Sequence, residues 1–140
     1  MPRYLLDTNI IVFMISGELD NISSDVETVL SDYNNELNTS SIVALELLHL
    51  YKNKKVSTKK YHRSVDFLKA VEDVFYIKIL PFAKEHLITL SKLKIANQHK
   101  DPFDHAIIAH ALTEKLTLIS SDRKFENYTA QQLDFIFNKR

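Results

Sequence analysis

The sequence contains no cysteine. That excludes disulfides, cysteine-ligated zinc, iron–sulfur clusters and a thiol nucleophile, and with them the disulfide-stapled secreted domains. Gly17 is the one glycine. Walker and dinucleotide loops bring backbone against phosphate through several residues without a β-carbon at fixed spacing, so nucleotide-fold ATPases and dehydrogenases are excluded too. Neither sign of charge is in excess: 18 Lys and Arg face 18 Asp and Glu, so any polyanion must meet a local patch. No run approaches the roughly 20 apolar residues of a membrane helix, because Asp7, Glu46 and Lys78 interrupt the longest ones. The opening stretch, Met1 to Leu6, has neither an apolar leader nor a small-residue cleavage site, from which a soluble, cytoplasmic protein with no membrane partner is expected.

What the chain does have is 140 residues, 45% of them hydrophobic, enough for one core and too few for two ordinary domains. A single domain over residues 1–140 is expected. Short apolar runs at Tyr4–Leu6, Leu37–Thr39, Tyr76–Leu80, Leu116–Ile119 and Leu133–Phe137 read as five strands. Helical patterns lie between them: from Ile10 to Ile15, Ser24 to Tyr33, Ile42 to Tyr51, Val65 to Phe75, Ala83 to Asn97 and Asp101 to Leu112. Asp101 as N-cap, Pro102 at the first helical position and Asp104 two residues on make the last start especially well marked. Strands so far apart cannot form hairpins, so right-handed crossovers and a mostly parallel sheet with both faces covered are predicted. In such sheets ligands gather beyond the carboxyl ends of the strands, where Asp7 and Asp122 fall.

Four acids stand out. Asp7 and Asp122 follow strands and each reads equally as a helix cap or a ligand. Asp104 reads as an acid complementing a helix dipole or as a site residue, and Asp101 as a cap. Glu46 lies in a helix that is apolar nearly all round, with Ala44, Leu45, Leu47 and Leu48 beside it, which predicts burial on more than one side. A carboxylate there must be paired, metal-bound or left at a cost of several kcal/mol. The alternating fold gathers the four at one edge. Two carboxylates about 4 Å apart repel by roughly 4 kcal/mol at an effective dielectric of about 20, so the set calls for protons or a cation. Oxygen ligands alone favour Mg²⁺ or Mn²⁺, which bridge naturally to phosphate, and phosphodiester hydrolysis is the expected chemistry. His105 and His110, five residues apart, point away from each other around a helix, so zinc is disfavoured.

The ordered set Leu5-Leu6-Asp7-Thr8-Asn9, Glu46 within Ala44–Leu48, Asp101-Pro102-Phe103-Asp104-His105-Ala106 and Ser120-Ser121-Asp122-Arg123-Lys124-Phe125 resembles the PIN-domain ribonucleases, particularly the VapC-type toxins of bacterial toxin–antitoxin pairs. The resemblance spans nearly the whole chain. It implies a three-layer α/β/α sandwich around a five-stranded sheet, a catalytic and metal-binding quartet of Asp7, Glu46, Asp104 and Asp122, and supporting roles for Thr8, Asn9 and Ser120. Asp101 either adds charge around the site or simply caps its helix. It further implies structured RNA as substrate, cleaved by metal-activated water to leave a 5′ phosphate, with an antitoxin protein and a homodimer as partners.

Charge distribution suggests where RNA would lie. Residues 47–65 carry six basic residues and no acid, among them Lys54, Lys55 and Lys59, and can neutralise phosphates or form a solvated loop. Arg123 and Lys124, beside Asp122, are nearer alternatives. Two competing readings remain: another Mg²⁺-dependent phosphoesterase with Asp7 as nucleophile, although the second acid of an Asp-x-Asp pattern is here Asn9; and a non-catalytic binding module that keeps the fold.

Overall fold

The computed structural model describes residues 1–56 and 60–139. Five strands, β1 (Arg3–Leu6), β2 (Glu36–Ser40), β3 (Lys78–Leu80), β4 (Thr117–Ser120) and β5 (Phe135–Phe137), form one sheet in the order β3-β2-β1-β4-β5. Every neighbouring pair is parallel. The helices are α1 (Thr8–Ile15), α2 (Ser24–Ser31), α3 (Ser41–Lys52), α4 (Ser64–Asp73), α5 (Lys84–Lys92) and α6 (Pro102–Glu114), and a 3₁₀ segment spans Arg123–Gln131.

This order positions the site. The chain steps outward from β1 to β2 to β3, then crosses to the other half of the sheet for β4 and β5. Right-handed crossovers running in opposite directions put the intervening helices on opposite faces, giving the expected three layers. The reversal falls between the adjacent strands β1 and β4, and a crevice opens at such a switch point beyond the strand ends. Leu6 pairs with Ile119, so Asp7 and Ser120 are the next residues out at that crevice. Beneath them Leu5, Leu6, Leu118 and Ile119 are fully buried, as strands covered on both faces require.

Two boundaries and one burial pattern that depart from expectation have identifiable reasons. Helix α1 begins at Thr8 rather than Ile10, because the Asp7 side chain itself accepts the Thr8 N–H at the helix start. Helix α5 stops at Lys92 instead of Asn97: the Gln131 side chain accepts the Lys94 N–H at 3.0 Å and donates to its carbonyl at 2.8 Å, replacing helical bonds with bonds to the 3₁₀ segment. Helix α3 is not buried on every side. Val43, Ala44 and Leu47 face the core, whereas Leu45 is 55% exposed and, with Leu50 and Phe103, walls an open apolar hollow beside Glu46.

Candidate functional site

The centre of the site is a hydrogen-bonded knot joining the ends of β1 and β4. Asp7 is 6% exposed, and the Ser120 hydroxyl donates to its Oδ2 at 2.6 Å. The Asn9 side-chain amide donates to both Asp7 Oδ2 and Ser120 Oγ, at 3.3 and 3.2 Å. Asn9 Oδ1 accepts the Ser121 N–H at 3.1 Å, and Ser120 Oγ accepts the Asp122 N–H at 3.0 Å. These bonds hold Asp7 and the backbone of Asp122 to one small scaffold. With Asn9 engaged on three sides and bearing no charge, the position where an aspartyl-phosphate enzyme needs its second acid is a structural amide.

Glu46 reaches the knot from α3. The Thr8 hydroxyl donates to its Oε1 at 3.2 Å, linking the first residue of α1 to the middle of α3. Asp104, in the first turn of α6, is mostly buried, with 17% of its side chain exposed, and accepts a hydrogen bond from His99 Nε2 at 3.1 Å. Asp101 is exposed and caps α6 through the Phe103 N–H at 2.9 Å, while Asp122 caps the 3₁₀ segment through the Lys124 N–H at 3.0 Å. Both of these side chains act as helix caps in the structure.

The acids feel one another. Burial is the main force pushing the Asp7 carboxyl up to about 6; its bonds from Ser120 and Thr8 pull the other way, and the charges of Asp104 and Asp122 push it further up. Glu46 is pushed up to about 7, first by burial and then by the charge of Asp7, with Asp104 and Asp101 adding to it. Asp104 is also raised, by burial above all, against the opposing bond from His99. No lysine or arginine forms an ion pair with any of the four among the described residues. No three of these carboxylates bring ligand oxygens within 4.8 Å of one another, so it is the all-oxygen chemistry and the lack of a lysine or arginine partner, rather than a closed cage, that fit a hard divalent ion.

Basic residues are less closely gathered. The Arg123 guanidinium lies 4.2 Å from the Phe137 ring centroid and 3.8 Å from Glu126, and the Lys124 side chain is exposed. Lys54 and Lys55 are exposed beyond the end of α3, which alone carries the chain about 9 Å from Glu46 to Lys52. Lys59 lies outside the described residues.

The histidines hold more than sequence spacing revealed. His86, His110 and Glu114 form the one group of three among the described residues whose ligand atoms all lie within 4.8 Å of one another. Both nitrogens of His86 are taken up by hydrogen bonds, whereas His110 Nε2 is buried without a partner. His86 Nδ1 accepts the Ala83 N–H at 2.7 Å, so Nε2 carries the proton and donates it to Glu114 Oε2 at 2.7 Å. His110 bonds through Nδ1 to Ser40 Oγ at 2.8 Å, tying α6 to the start of α3, and burial together with His86 pushes it down to about 4, leaving it neutral. His105 donates to the His99 carbonyl at 2.9 Å. His99 itself, 4% exposed and bonded to Asp104, was missed: its only sequence signal is a histidine two residues before a marked helix cap.

The family model for the PIN domain matches residues 4–131. No curated protein matches the sequence. Among solved structures, VapBC2 from Rickettsia felis, bound to a DNA fragment from its promoter, is similar with a TM-score of 0.70 and 24% identity, covering 98% of this chain and 99% of that one. VapBC-1 from nontypeable Haemophilus influenzae gives 0.67 and 22%, covering 96% and 97%. VapBC-5 from Mycobacterium tuberculosis, a member of the VapBC family of toxin–antitoxin systems, gives 0.64 and 17%, covering 100% of both chains.

Proposed function

Because the chain belongs to the PIN domain family, we propose that it is a single-domain, metal-dependent endoribonuclease, the toxin of a toxin–antitoxin pair, working in the cytoplasm as a homodimer. The observation that carries this reading is the acid edge, where Asp7, Glu46 and Asp104 have no lysine or arginine partner and are all held above their ordinary range by burial and by the charges of neighbouring acids. The likeness in fold to VapBC structures supports an antitoxin as partner.

In this reading Asp7, Glu46, Asp104 and Asp122 hold Mg²⁺ or Mn²⁺, which when bound supplies a Lewis acid for the scissile phosphate and acidifies water. The chain's own work is to fix the carboxylates. Ser120 and Asn9 fix Asp7, Thr8 fixes one oxygen of Glu46, and His99 fixes one oxygen of Asp104. Arg123, Lys124, Lys54, Lys55 and Lys59 meet phosphates away from the cut. Since the chemistry makes no use of the 2′-OH, preference for RNA comes from these binding residues.

The test is cleavage of total RNA by purified protein with Mg²⁺, with Mn²⁺ and with a chelator, beside Asp7→Asn purified in parallel. Ion-dependent cleavage lost in Asp7→Asn supports the reading. Equal cleavage by both proteins marks a contaminant, and RNA binding without cleavage by either makes the chain a binding module.

A further inference from the structure

Asp104 is served by a buried relay that begins more than twenty residues away, in the 3₁₀ segment that Asp122 caps. Tyr128 is fully buried. Its phenolic oxygen accepts the Ala96 N–H at 3.1 Å and lies 2.6 Å from His99 Nδ1. His99 in turn places Nε2 3.1 Å from Asp104 Oδ2. The donors and acceptors in this chain can be assigned by counting.

The phenol has one proton, and His99 Nδ1 is the one acceptor that the structure offers it among the described residues. A proton on Nδ1 would leave two N–H groups aimed at the phenolic oxygen and strand the phenol's own hydrogen in a buried place, which is costly. Nδ1 is therefore the acceptor. A neutral imidazole that accepts at Nδ1 carries its hydrogen on Nε2, where it is donated to Asp104. The His99 ring has little freedom to do otherwise: His105 stands edge-on at 4.6 Å between centroids and Phe125 at 6.3 Å, and His105 Nε2 donates to the His99 carbonyl at 2.9 Å.

We propose that Tyr128 and His99 are positioning residues for the proposed nuclease site: Tyr128 favours the Nε2–H tautomer of His99, and that N–H fixes Asp104 so that its other oxygen is left for a ligand. Asp104 Oδ1 accepts no protein hydrogen bond among the described residues, in keeping with that division. The relay also couples two acids, because the segment capped by Asp122 delivers the phenol that orients the partner of Asp104. The proposal rests on the reading of Asp104 as a site carboxylate, but its first step stands on the ion-free protein alone.

The experiment uses the full-length protein and the variants Tyr128→Phe, His99→Gln and His99→Phe. Ring ¹⁵N resonances recorded without metal at about pH 8, above the ordinary histidine range, report the tautomer. Wild type is expected to show His99 protonated on Nε2, and Tyr128→Phe, which keeps the aromatic ring and loses only the hydroxyl, to keep that proton opposite Asp104 while the unprotonated Nδ1 resonance moves downfield on losing its donor. Mn²⁺ affinity, read by electron paramagnetic resonance of the free ion, is expected to fall about 10- to 100-fold in Tyr128→Phe and His99→Phe, the usual effect of removing a group that orients a metal ligand. His99→Gln, whose amide N–H reaches toward the place of Nε2–H, is expected to recover most of that loss. A merely structural role would not give that recovery. An Nδ1–H tautomer in wild type overturns the proposal, as does a folded Tyr128→Phe that binds Mn²⁺ like wild type. If wild type shows the Nε2–H tautomer and the variants lose Mn²⁺, yet RNA is never cleaved, the positioning device stands and the nuclease reading fails.

Discussion

Two clusters of buried titratable groups sit a helix apart in this protein, and they solve the problem of burial in opposite ways. Between α5 and α6, His86 has a donor on one nitrogen and an acceptor on the other, so its hydrogen bonds are closed within the protein. At the sheet edge, the carboxyls of Asp7, Glu46 and Asp104 share a field with Asp122 and Asp101, and hydrogen bonds from serine, threonine, asparagine and histidine compensate them only in part. Apart from His110 Nε2, which is buried without a partner, that network is closed and belongs to the fold. A network left with surplus charge is one that a fold tolerates for the sake of a ligand, because a buried charge without a counter-charge costs stability.

The largest expected effect follows from that contrast. Asp7→Asn should reduce RNA cleavage by more than about 100-fold, beyond the loss typical of groups that only orient a ligand. The same substitution should raise the stability of the ion-free protein, measured by urea unfolding, since it removes a buried charge while leaving a side chain that can still accept from Ser120. His86→Phe should do the reverse, leaving cleavage unchanged and lowering stability by about 1–3 kcal/mol, because the Ala83 N–H and Glu114 are left without their partner. If both variants lose activity and stability together, the two clusters are not different in kind.

A pH series sharpens the comparison. Asp7 and Glu46 bind a proton more tightly in the folded chain than in the unfolded one, so the ion-free protein should be most stable near the unfolded carboxylate range. It should lose stability as pH rises through about 6 for Asp7 and about 7 for Glu46. For Asp7, moved from 3.8 to about 6, the loss is on the order of 3 kcal/mol. Thermal melts between about pH 5 and pH 8 check the sign, and Mg²⁺ or Mn²⁺ should flatten the slope by supplying the missing charge. The smallest effect is expected at the basic loop. Reversing Lys54 and Lys55 to glutamate should make the salt dependence of RNA binding shallower by about 0.7 for each phosphate that is no longer neutralised, and an unchanged slope removes the loop from the interface.

Much of this was legible in the sequence because it is local. Apolar runs of three to five residues punctuated by polar ones mark the strands, and their separation dictates the parallel order; Asp7 could be placed at the carboxyl edge because it directly follows such a run, and Asp122 because only Ser120 and Ser121 separate it from one. The Asp101-Pro102 start of α6 is written in capping chemistry. What escaped notice depends on which surfaces meet. Leu45 resembles its buried neighbours in composition, yet the sheet covers only one side of α3 and leaves it facing solvent. His86 finds Glu114 and His99 finds Tyr128 across nearly thirty residues, and no periodicity links either pair. The Gln131 bonds that end α5 early are likewise invisible to local pattern.

The most direct measurement is calorimetric titration of Mn²⁺ into wild type and Asp7→Asn at about pH 6, repeated in buffers of different ionisation enthalpy so that proton release is counted. Saturable uptake by wild type, with protons expelled from carboxyls that burial holds protonated, and uptake greatly weakened in Asp7→Asn, is the predicted result. Absence of uptake by folded wild-type protein, or uptake with no protons released, contradicts it.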